Sequence, residues 1–131
     1  SFIQEVAQVA LTFKALGIVP ANQCMLPQVL KSMSPNGSTV LRDAVIEGSV
    51  LMLKLFQLIA NTRLVDEFHF VMIVLTDGED AGSKRSMAQV LQSLMMIKQV
   101  IPVKMLKIFF IGVDIDSRAE RELRAMSEAG G

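Results

Sequence analysis

Thr76, Asp77, Glu79 and Asp80 arrive together at the end of the stretch His69 to Asp80, HFVMIVLTDGED. Asp114 and Asp116 follow a second apolar run, LKIFFIGV, residues 106–113. Carboxylates grouped where strands end are candidate metal ligands or acid/base groups, because ligands gather at the carboxyl ends of strands in open α/β sheets. The structural reading of the same residues is a polar turn at Asp77-Gly78 with Asp80 capping the next helix. An EF-hand starting at Asp77 fails, since its fifth and twelfth positions fall on Ala81 and Ala88 instead of oxygen ligands. A metal-dependent hydrolase built on Asp77, Asp80 and Asp114 has no general base beyond these carboxylates and no evident substrate cradle. His69 is the only histidine and has no Cys or His at ligand spacing, so it reads as structural. Cys24 likewise lacks a partner for nucleophilic chemistry. No Gly-rich phosphate loop precedes a helix, which argues against nucleotide chemistry.

These groups need a scaffold, and the sequence supplies one. Phe70 to Leu75 is an unbroken, β-branched apolar run bounded by charge and by Asp-Gly, the pattern of a strand buried on both faces of a parallel sheet. Leu106 to Val113 has the same character. Between them Ser83 can cap a helix through about Val100, with Met87, Val90, Leu91, Leu94 and Ile97 toward the sheet and Lys84, Arg85, Gln92 and Lys98 toward water. Strand, helix and strand make a βαβ unit with an expected right-handed crossover. Ser117 and Glu120 form a capping box for a last helix, whose apolar face is Ala119, Leu123 and Met126 and which Gly130 stops.

Upstream, a long helix is expected from Leu41 to about Asn61. Its apolar stripe, widened by Ile46, Val50, Leu53 and Phe56, predicts near-complete burial, and Asp43 lies in the first turn, favourable to the helix dipole. Met25 to Met33 reads as a short helix, followed by a loop over Ser34 to Thr39. The first nineteen residues fit two patterns. Phe2, Val6, Val9, Ala10 and Phe13 keep helical spacing, whereas Val9–Phe13 and Leu16–Val19 suit two short strands; Gly17 and Pro20 favour a strand for the latter half. The whole is read as one α/β domain over residues 1–131, a doubly wound, mostly parallel sheet with helices on both faces.

Composition narrows the function. Thirteen basic and thirteen acidic residues give zero formal net charge, and aromatics make up only 5%, so the footprint of a nucleic-acid binder is missing. Hydrophobic residues make up 51% and the mean hydropathy is +0.44, yet no apolar run nears the ~18 residues of a membrane span. The excess apolar content suits a protein with surface meant for a partner. Nine methionines fall mostly on apolar helix faces, and Met95-Met96 could dress an adaptable contact surface. A single cysteine and no evident signal peptide point to a reducing, intracellular and cytoplasmic setting.

With PNGSTVLRDA at 35–44, VMIVLTDGED at 71–80, and IFFIGVD at 108–114 followed by ERELRAMSEAGG, the chain resembles the von Willebrand factor A (vWA) domain family. The likeness covers about Ser34 to Gly131; before it, VALTF and LGIV look like the family's second and third strands. The resemblance implies a non-enzymatic protein–protein interaction module. It also implies a metal-ion-dependent adhesion site, in which Thr39 looks like the loop threonine and Asp77 like the aspartate after the fourth strand. Mg²⁺ accepts hydroxyls plus one or two carboxylates and keeps waters, so an acidic group on the partner can complete the shell. The family's Asp-x-Ser-x-Ser motif does not occur, leaving the site incomplete in this chain. The chain then resembles an interior segment without the first, central strand or the last strand and helix. The expectation is that the missing strand lies in other residues or comes from a partner chain. The rival expectation is the same fold as a metal-free scaffold within a larger complex.

Overall fold

The computed structural model describes residues 2–18, 41–76 and 82–131. The expected helix at 25–33, the loop at 34–39 and the acidic turn from Asp77 to Asp80 lie outside them.

The two apolar runs form the strands. Phe70–Thr76 (β1) and Leu106–Gly112 (β2) pair in parallel, with Phe70 opposite Leu106 and Thr76 opposite Gly112. The pairing runs on by one bond, the N–H of Val113 donating to the Thr76 carbonyl at 2.9 Å. Parallel neighbours cannot be joined by a hairpin, and the helix Met87–Val100 provides the crossover. Labelled in chain order, the helices are α1 (Phe2–Ala15), α2 (Leu41–Ile59), α3 (Met87–Val100) and α4 (Ser117–Gly130). The described residues thus form a mixed α/β arrangement of four helices and a two-stranded parallel sheet.

Helix directions follow from contacts. A β-carbon on Gly48 would meet the Met72 sulfur at 2.8 Å, while Phe56 stands edge-on to Phe70. Later α2 residues therefore meet earlier β1 residues, so α2 runs antiparallel to the strand and begins at its carboxyl end. The same holds for α4 on β2, where Gly112 lies against Ile115 and Leu123, and Gly130 against Ile108 and Phe110. A side chain at Gly112 would clash, its β-carbon 2.5 Å from Ile115 Cδ1. Between α2 and α4 packs α3, burying Val90, Leu94 and Ile97 in one core with Val45, Met52, Ile59, Ile101 and Met126.

The caps sit close to, but not on, the residues the sequence suggests. Helix α3 starts at Met87, not at Ser83: Ser86 accepts from the Gln89 N–H, and Gln89 Oε1 reaches back to the Ser86 N–H at 2.8 Å. Lys84 and Arg85 precede the helix. In α4 the cap is Asp116, accepting from Ala119 N–H at 2.8 Å; Glu120 pairs with Arg124 instead of closing a capping box with Ser117. Helix α2 ends two residues before Asn61. There Thr62 donates its hydroxyl to the Ile59 carbonyl at 2.8 Å and accepts the Leu64 N–H at 3.1 Å, turning the chain into the 3₁₀ turn Val65–Glu67.

Three expectations are corrected. Val9 to Phe13 is helix and Leu16 to Ile18 is a turn, so neither matches a strand. A strand needs a ladder partner, and among the described residues β1 and β2 pair only with each other. The helical spacing wins because it buries Val9 in the core and sets Phe13 edge-on to Phe68 at 5.8 Å. Near-complete burial of α2 also fails, since Val50, Leu51 and Leu58 remain exposed. Finally, β1 is buried on one face only. Phe70 and Thr76 are buried and Met72 and Val74 half-buried, but Ile73 is 65% and Leu75 62% exposed. Val71, Phe109 and Ile111 are exposed on the same face.

Candidate functional site

Strand direction and helix direction together make one end of the molecule chemically distinct. At the carboxyl ends of β1 and β2 lie the N-termini of α2 and α4, each an end whose first N–H groups have no partner within the helix and which carries a positive dipole. The N-terminus of α3 joins them, because the residues just before it are bonded to the first turn of α2.

Those bonds centre on Asp43. Its Oδ2 accepts the N–H of Lys84 at 3.1 Å and its Oδ1 the N–H of Arg85 at 3.2 Å. Its own N–H donates to Ser83 Oγ at 3.2 Å. One turn on, Glu47 takes the Arg85 guanidinium at 3.0 Å, an ion pair open to water and worth at most about 1 kcal/mol. Asp43, read from sequence only as a dipole-compensating residue, thus ties α2 to a segment forty positions away. Its placement in a first turn gave no hint of this, because the partners are backbone groups that any residue type carries.

Asp77 follows directly on Thr76, the buried last residue of β1, and Thr39 stands two residues ahead of the first residue of α2. Both ligand candidates, with Glu79, Asp80 and Cys24, lie outside the described residues. The remaining sequence candidates are placed separately. Asp114 is exposed, with a left-handed φ of 52° in the turn after β2. The Asp116 carboxylate is engaged as the α4 cap. His69 is exposed just ahead of β1.

Among the described residues, no group of three or more His, Cys, Asp or Glu side chains could hold a metal ion. The carboxylates of Asp43 and Asp116 are turned toward backbone N–H groups. Elsewhere, a groove of about 490 Å³ runs along the edge of β1 away from β2, lined by Phe13, Gly48, Leu51, Val71 and Ile73 among others. Met95 and Met96 are both exposed on the outer side of α3. No described helix is long and apolar enough to cross a membrane. Compared with protein-family models, characterised proteins and solved structures, the chain matches none.

Proposed function

We propose that the chain is a non-enzymatic protein–protein interaction module of the vWA type, with its contact site at the carboxyl end of the sheet. In this reading the βαβ unit belongs to a doubly wound sheet whose further strand, from other residues or from a partner chain, pairs with the edge of β1 away from β2. Thr39 and Asp77 would hold Mg²⁺ there, supplying a hard-oxygen contact that an acidic residue of the partner completes.

The observation that carries the proposal is the set of hydrogen bonds from Asp43 to residues 83–85. They join the start of α2 to the segment after β1, at the end where the strand delivers Asp77. Thr39 and Asp77 are each within a few residues of that junction along the chain.

Mn²⁺ titration of the full-length protein tests it. Thr39→Ala and Asp77→Ala are each expected to weaken Mn²⁺ binding about 10–100-fold, a loss of the size that follows when a metal site is disturbed. Responses equal to wild type would remove the metal from the proposal. The rival, a metal-free scaffold that binds through apolar surface, draws on the open face of the sheet. Under it, partner binding survives chelation and Asp77→Ala but is lost on Ile73→Lys.

A further inference from the structure

Successive side chains of a strand point to opposite faces, so Val71, Ile73 and Leu75 of β1 share one face with Lys107, Phe109 and Ile111 of β2. The register sets them in three cross-strand pairs, Val71 with Lys107, Ile73 with Phe109 and Leu75 with Ile111. Val113 extends the row by one position. All six apolar members are open to solvent, from 46% exposed for Ile111 to 65% for Ile73. On the inner face, by contrast, α2 lies along β1 and α4 along β2.

The dimensions of this face select the shape that covers it. Paired strands lie ~5 Å apart and seven residues extend ~23 Å, so two strands make a strip ~10 Å wide. That is the width of one α-helix with its side chains and the length of ~15 helical residues. The inner face shows the same match, since the 14-residue α4 lies along the seven-residue β2. A second copy offering the same narrow strip would fall short of the ~800 Å² per partner that a standard interface buries. Charge then sets direction. Lys107 is the one charged residue among the strand positions of the outer face, at its amino end; Asp66 and Glu67 stand three or more residues ahead of β1. Asp114, exposed, follows Val113 directly at the carboxyl end. A lysine suits the C-terminus of a helix and an aspartate its N-terminus. A helix on this face therefore runs antiparallel to the strands, as α2 and α4 do on the other.

We infer that the outer face of the sheet docks one amphipathic helix of a partner chain, about four turns long and antiparallel to the strands. Its apolar residues, spaced as Ala119, Leu123 and Met126 are in α4, lie on Ile73, Leu75, Phe109 and Ile111, and acidic residues in its last turn meet Lys107. This docking site depends on neither Thr39 nor Asp77 and needs no metal.

The test measures fluorescence anisotropy of a designed helical probe of about 15 residues against the full-length protein. The probe carries leucines at i, i+3, i+4 and i+7 and glutamates in its last turn; a twin carries lysines in place of those glutamates. Wild type is expected to bind the glutamate probe about fivefold tighter than the twin, and Lys107→Glu to reverse that preference. Ile73→Lys is expected to weaken both probes about tenfold or more, while the amides of Leu94 and Ile97 keep their exchange protection and show that the variant is folded. Binding of neither probe, or binding unaffected by Ile73→Lys, would overturn the docking site. Equal affinity for the two probes, or a preference that Lys107→Glu leaves unchanged, would overturn the antiparallel helix. Maleimide modification of Ile73→Cys, followed at that residue by mass spectrometry, separates the other occupants. Rapid labelling of the full-length protein is expected. Protection in dilute monomer would assign the face to a segment of the same chain, and protection that grows with concentration would assign it to a second copy; either overturns the partner helix.

Discussion

Replacing Leu94 with alanine is expected to lower the free energy of global unfolding by about 2–5 kcal/mol. Leu94 is 0% exposed, at the middle of α3, the helix that packs on both α2 and α4. Its loss removes contacts from two helix interfaces at once, and the site cannot collapse easily because Val90 and Ile97, one turn away on either side, are themselves fully packed. Against a total stability of about 5–15 kcal/mol, that is a large fraction. Native-state hydrogen exchange of the most protected amides in the full-length protein reads it directly. A change below about 1 kcal/mol would mean that α3 is not the centre of the core.

The second large effect concerns the open side of the sheet. Purified by itself, the 131-residue chain is expected to self-associate and to show no cooperative melt as a monomer. Val71, Ile73, Leu75, Phe109, Ile111 and Val113 are all about half exposed or more. Full burial of such side chains yields ~1.5–3 kcal/mol each, so covering the exposed half of six is worth roughly 5–9 kcal/mol. That rivals the whole stability of a domain, and contiguous apolar patches of this kind mark interaction surfaces. The edge of β1 away from β2 adds a row of backbone groups with no ladder partner among the described residues, a template for another strand. Sedimentation equilibrium and calorimetry on the isolated chain measure the outcome. Ile73→Lys together with Ile111→Lys is expected to reduce association by placing charge on that face. A monodisperse chain that melts in one cooperative monomeric transition would contradict the claim that the face and edge await a partner or further strand.

Much of this architecture was legible because its signals were redundant. β1 and β2 are continuous β-branched runs with charge or glycine at their ends, and their boundaries fall within one residue of expectation. The stripe from Leu41 onward could only be a helix. What the letters concealed were choices made by tertiary contacts. Ser83 was the cap the sequence suggested; its Oγ accepts the Asp43 N–H instead, and α3 is capped three residues later by Ser86. Asp116, not Ser117, caps α4, its carboxylate accepting the Ala119 N–H. In α1 the apolar residues satisfy helical and strand spacing alike, and the contact between Phe13 and Phe68 across the fold decides. Apolar pattern likewise implied a sheet covered on both faces, whereas pattern alone does not say where the cover comes from. Of the two ligand candidates, Asp77 was chosen as a strand-end carboxylate and Thr39 through the resemblance, and both lie outside the described residues. Asp43 carried no signal beyond its place in a first turn.

The most direct measurement concerns the separation of the two loops. Nitroxide labels are attached at Thr39→Cys and Asp77→Cys in a Cys24→Ser background of the full-length protein, and their continuous-wave EPR spectrum is compared with the sum of the two singly labelled proteins. Strong dipolar broadening is expected, because the start of α2 and the segment after β1 meet at Asp43. A spectrum indistinguishable from that sum would place the two residues far apart, and no shared site could then be built from them.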